Sequence, residues 1–197
     1  MNPVGEPPNT IRIFWSGPHA WPGFESQNRL SPLPKHSGVY LLTFPNQDGF
    51  LIYVAGLTRR PFHQRFAQHT REYLRGAYNV LDPVQAQNDL RSEIWHGWGY
   101  WRAHRDEFAA RQSEIQAAAK RQLAAFCVFA ADVESQGRAP ERVEAAIMGC
   151  LYAAPPPLCD IPDRNMFLAP RLSSEEPITI LNSCASKLLG LPERLPI

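Results

Sequence analysis

The spacing of apolar and polar positions changes along this chain, and each change marks an element. Residues 39–44 form a run rich in β-formers that stops at residues 45–49, a Pro-Asn-Gln-Asp-Gly stretch, and residues 50–55 resume it. That pattern predicts a β-hairpin. Pro61 suits the first position of a helix running to about Arg75, with Phe62, Phe66 and Tyr73 near one stripe. Residues 76–103 lose the pattern, broken by Gly76, Pro83, Gly97 and Gly99 around a crowd of Trp95, Trp98 and Trp101, and predict an irregular insert. Residues 105–122 are rich in Ala, Gln, Glu and Arg and predict a helix. Residues 123–130 then predict a buried strand. After a turn at Gly137, Pro140 fits a helix start, and residues 141–152 predict a helix with Ile147, Met148 and Leu151 clustered. That helix should end before Pro155-Pro156-Pro157.

Prolines change how the ends read. Of the 19, seven precede Ser37 and eight follow Ala154, which predicts irregular segments at both ends apart from a short strand-like run at residues 11–15. The fold class expected is therefore α/β: a small three-stranded mixed sheet flanked by helices. Its divisions are an N-terminal extension over 1–36, a central domain over 37–165 with a helical insert at 77–121, and a C-terminal extension over 166–197. No repeat or low-complexity tract stands out.

Charge and composition narrow the function classes. Lys and Arg total 20 against 19 Asp and Glu, a net charge of +1, so any nucleic-acid site must be a local patch rather than bulk charge. Such a patch exists between Leu57 and Arg75, where Arg59, Arg60, Arg65, Arg71 and Arg75 face one acid, Glu72. No run of 18 apolar residues offers a membrane span, and the first residues lack a basic, then apolar, leader; a cytoplasmic protein is the expectation. Cys127, Cys150, Cys159 and Cys184 are spaced 23, 9 and 25 apart, which fits neither a zinc ribbon nor a disulfide framework.

Polar residues occupy the boundaries of the central elements. Gly38-Val39-Tyr40 lies on the first strand, Tyr53-Val54-Ala55-Gly56 closes the second, Arg65 and His69 fall on the next helix, and Glu144 on the later one. This ordered set resembles the GIY-YIG nuclease superfamily over roughly residues 38–160. The second motif is one residue longer than the family's, which calls for a bulge or a shifted glycine. The resemblance implies a metal-assisted endonuclease hydrolysing double-stranded DNA, of restriction or repair type. It implies Mg²⁺ or Mn²⁺ held by Glu144 as sole protein ligand, Tyr40 as general base, Tyr53 as a second phosphate or water contact, Arg65 as phosphate stabiliser and His69 as assistant in proton transfer. The asparagine that the family carries after the last helix falls to Asn165 or is replaced by Asp160.

The chemistry of these residue types is compatible with that role. Arg65 and His69 are four apart, so on a helix both can face one phosphate, although taken alone a solvated helix face is the commoner reason for such a pair. A phenol needs a neighbouring cation to act as base near neutrality. Glu144, followed by Ile147 and Met148, would sit on the buried helix face and require a partner; Mg²⁺ with its waters supplies one. Trp98 and Arg102, with Arg59, Arg60, Arg71, Arg75 and Asn165, are the candidate DNA contacts, the tryptophans serving either as a stacking surface or as a mini-core. The rival functions are a nucleic-acid-binding module of the same fold without catalysis and a protein-interaction domain.

Overall fold

The structure, a computed structural model, describes residues 9–133 and 137–197. In chain order the elements are β1 (Thr10–Ala20), α1 (Glu25–Asn28), β2 (Gly38–Asn46), β3 (Gly49–Thr58), α2 (Phe62–Leu74), β4 (Val80–Leu81), α3 (Pro83–Gln87), β5 (Glu93–Trp95), α4 (Tyr100–Ala103), α5 (Arg105–Ala110), α6 (Gln112–Ala125), β6 (Cys127–Ala131), α7 (Ala139–Ala153), β7 (Thr179–Cys184), β8 (Leu188–Leu189) and β9 (Arg194–Pro196).

The expected three-stranded sheet is a correction: the described residues form a mixed seven-stranded sheet in the order β8-β3-β2-β6-β1-β7-β9, and a separate β4-β5 pair. The hairpin β2–β3 and strand β6 are neighbours within it, and the terminal segments contribute β1, which contains the strand-like run expected at residues 11–15, and β7, β8 and β9, where irregular chain was expected. β1 pairs antiparallel with β6 and parallel with β7, so the outer edge of β6 is never bare. Prolines misled the reading because they sit where strands tolerate a missing N–H. Pro18 falls at the register shift between Ser16 and His19, and Pro196 lies in the edge strand β9.

Both faces of the sheet are covered, which is why β2 reads as a nearly unbroken apolar run. Tyr40, Leu42 and Phe44 face Phe62, Phe66 and Tyr73 of α2 and Ile115 and Leu123 of α6. Val39 and Leu41 face the other way, with Ile13, Phe129 and Ile180, against Val143, Ile147 and Met148 of α7. Helix α6 runs three residues past the helix end expected at Gln122, because Ile115, Ala119 and Leu123 hold one buried stripe at helical spacing; the strand begins only at Cys127. The helix expected over 105–122 is interrupted at Arg111, between α5 and α6. The insert contains the β4-β5 pair, so it is not irregular throughout.

The hairpin contains a β-bulge. Leu42 pairs with Val54 but Thr43 with Ile52, leaving Tyr53 as the extra residue. Tyr53 and Val54 consequently face the same side, in the core with Tyr40.

Candidate active site

β8 covers only Phe50 and Leu51, so the edge of β3 beyond them has to be satisfied by other segments. The Asp163 backbone N–H donates to the Tyr53 carbonyl (3.0 Å), and the Ala55 N–H donates to Met148 Sδ (3.1 Å). The Leu57 backbone lies beside the Glu144 carboxyl and favours its charged form. Asp163 and Glu144 thus both lie against this sheet edge. From the interior, Tyr40 of β2 and the Arg65–His69 pair of α2 come to the same place, because helix spacing aligns the latter two on one face.

These groups enclose a cavity of about 80 Å³ whose walls include Tyr40, Arg65, His69, Tyr78, Glu144 and Asp163, with Trp98 beside them. Tyr40 Oη lies 2.8 Å from His69 Nε2, and His69 Nδ1 lies 3.2 Å from Tyr78 Oη. Gly56, opposite Tyr40 on β3, has the tyrosine ring lying directly on it. Arg65 Nη1 makes a long bond to Gln68 Oε1 (3.3 Å), the guanidinium also interacts with the Tyr40 hydroxyl, and its Nε is buried with no hydrogen-bond partner. That guanidinium keeps donors in hand for an anion.

Burial dominates the acid–base character of the site. It pushes the Tyr40 phenol up to about 12, opposed by the charge of Arg65. It also drives His69 down to about 3, assisted by Arg65, so the imidazole is neutral at ordinary pH. Glu144 is raised to about 7 by burial, against the pull of Arg65, and changes charge near neutrality.

Tyr53 is not among the cavity walls. Its hydroxyl donates to Asp163 Oδ2 (3.1 Å), and burial together with that carboxylate raises it well above the ordinary phenol range. Asp163 was missed in the sequence, as was Tyr78. It is 3% exposed and also accepts from Asn79 Nδ2, Trp98 Nε1 and the Asn165 N–H. Asp160 and Asn165 line a different hollow with Arg91 and Arg164. A larger hollow of about 800 Å³, beside Arg138, Arg142, Glu175 and Glu176, contains none of the residues selected from sequence.

The remaining candidates lie outside the cavity. Arg59 pairs with Glu141 (2.8 Å) and Arg60 with Gln68 (2.9 Å), while Arg71 and Arg102 are exposed. Arg75 pairs with Glu72 and stacks 5.3 Å over Trp101, which Arg105 also approaches at 5.8 Å. Trp98 is the exception: it lines the cavity, adopts φ 50° and packs on Tyr78, ring centroids 5.3 Å apart.

Glu144 could offer one carboxylate to a divalent ion, since Asp163 is committed to its own donors. Among the described residues no three His, Cys, Asp or Glu side chains cluster as a cage. An ion here would keep most of its shell as water, which suits Mg²⁺ or Mn²⁺ better than Zn²⁺. No family model matches the chain, and neither does any curated protein or solved structure.

Proposed function

We propose that this chain is a divalent-metal-dependent endonuclease that hydrolyses DNA phosphodiester bonds, with Tyr40, Arg65, His69 and Glu144 as its working residues. One observation carries the reading: three separate elements, β2, α2 and α7, bring a phenol, an imidazole, a guanidinium with an unpartnered Nε and a carboxylate to one cavity. Phosphodiester cleavage needs those parts: a base for water, positive charge for the phosphorane oxygens, and a ligand for a metal. Arg65 holds a non-bridging phosphate oxygen through its fork, and Tyr40 takes the proton of the attacking water with His69 behind it. Glu144 would hold Mg²⁺ or Mn²⁺, which supplies Lewis-acid stabilisation to the phosphate when bound. The exposed arginines of α2 and α4 supply backbone contacts to the duplex.

The test is plasmid DNA with Mg²⁺ or Mn²⁺, with and without chelator. Metal-dependent nicking or linearisation is the expected result; an intact plasmid in every metal refutes it. The 2% exposure of Tyr40 favours a second reading, a nucleic-acid-binding module whose site no longer turns over. DNA retention in a gel-shift without cleavage would decide for that one.

A further inference from the structure

Resting on the cleavage reading, we propose that Tyr78 is the outer station of a proton relay running from Tyr40 through His69 to solvent. Both imidazole nitrogens are engaged, at 2.8 Å to Tyr40 Oη and 3.2 Å to Tyr78 Oη. A neutral imidazole has one donor and one acceptor, so its tautomer orients the whole chain; the relay uses the one in which Tyr40 O–H donates to Nε2 and Nδ1–H donates to Tyr78. The burial gradient follows the same direction. Tyr40 is 2% exposed and His69 7%, whereas Tyr78 is only partly buried. Contacts fix the last ring in place, since it packs 5.1 Å from Tyr73 and 5.3 Å from Trp98.

A buried phenol does not ionise readily, so a route that moves protons without accumulating phenolate is the cheaper one. In the relay the attacking water loses its proton to Tyr40 Oη as the new P–O bond forms. The original Tyr40 proton passes to His69 Nε2, the Nδ1 proton passes to Tyr78 Oη, and the Tyr78 proton leaves to bulk water. The departing sugar oxygen takes its proton from solvent. His69 ends neutral in the other tautomer, and charge balances throughout.

Two measurements on the full chain test this. Two-bond ¹H–¹⁵N correlation of the His69 ring should show the neutral Nδ1–H tautomer in wild type and a shift toward Nε2–H in Tyr78→Phe. Wild-type His69 already protonated at Nε2 overturns the relay whatever the activity. In cleavage assays Tyr78→Phe should lower kcat on the order of 10²-fold with KM unchanged. Its proton inventory in H₂O–D₂O mixtures should straighten from a curved, several-proton dependence to a linear one. An active wild type matched by Tyr78→Phe in rate and inventory overturns the relay alone. A wild type that cuts nothing removes the cleavage reading and the relay with it.

Discussion

Gly56→Ala adds one methyl group at the place where β3 touches the Tyr40 ring. A Cβ on Gly56 would lie 2.4 Å from both Cζ and Oη of Tyr40 and 2.7 Å from Cε2. Ordinary van der Waals contact begins at 3.4 Å, so the ring or the strand has to yield by about 1 Å. The ring has little freedom, because Phe62 and Phe66 pack on it edge-on at 6.2 and 5.1 Å. Overpacking of this kind costs about 1–3 kcal/mol, which for a chain of this size lowers Tm by roughly 2–4 °C per kcal/mol. The same displacement moves Oη relative to His69 Nε2 and Arg65, and a 1 Å misplacement of a reacting group costs on the order of 10² in rate. Urea denaturation and plasmid cleavage read the two effects separately. A double-mutant cycle localises the cause: in a Tyr40→Ala background the added methyl meets no ring, so its stability cost should vanish. Gly56→Ala with wild-type stability and wild-type cleavage would refute the claim that this glycine exists to seat the phenol.

Glu144 gives a pH signature. Its carboxyl is held near 7 in the fold, above the ordinary 4.5, so the native state binds its proton more tightly. Stability from this group is full below about pH 4.5 and falls, by at most about 3 kcal/mol, as pH rises to 7. His69, lowered to about 3, acts in the opposite sense between pH 3 and 6.5. The difference between wild type and Glu144→Gln in urea melts therefore isolates the Glu144 slope, and an identical slope in both contradicts the assignment. Mn²⁺ should raise the wild-type Tm more at pH 8 than at pH 6, and Glu144→Gln should not respond. Arg65→Lys should lose most cleavage while DNA affinity in gel-shifts falls less, because a point charge cannot replace the two-pronged phosphate contact; full activity would make Arg65 mere surface. Asp163→Asn turns one acceptor oxygen into a donor facing Tyr53 or Trp98, and should cost about 2–3 kcal/mol in denaturation; a neutral change would deny Asp163 its role as a hub.

The hairpin, α2 and α7 were legible because their apolar residues repeat at clear periods, and Tyr40, Arg65, His69 and Glu144 stood out through the ordered set of motifs that resembles the GIY-YIG nucleases, not through position alone. Four features were not legible. The terminal strands hid behind prolines that occupy a bulge and an edge, positions where composition argues for a loop although the backbone is paired. Residues 123–125 were apolar in a way that fits helix or strand, and only the Ile115 and Ala119 contacts of Leu123 decide between them. Asp163 follows a proline-rich turn with no periodic context, and its importance comes from β3's uncovered edge, a tertiary fact. Tyr78 likewise announces nothing locally; its meaning depends on where His69 points.

The placement of β1 between β6 and β7 has a kinetic consequence. Thr10 to Trp15 pair with Thr179 to Cys184, and Trp15 Nε1 donates to Asn182 across 167 residues of sequence. Closing so long a loop is entropically costly and slow compared with forming the hairpin. During synthesis β1 emerges long before its parallel partner β7 and has to wait for it. Until then one side of that strand offers unpaired N–H and C=O groups to any neighbouring chain. Refolding yield should therefore depend on protein concentration far more steeply than a hairpin-centred domain of this size would suggest.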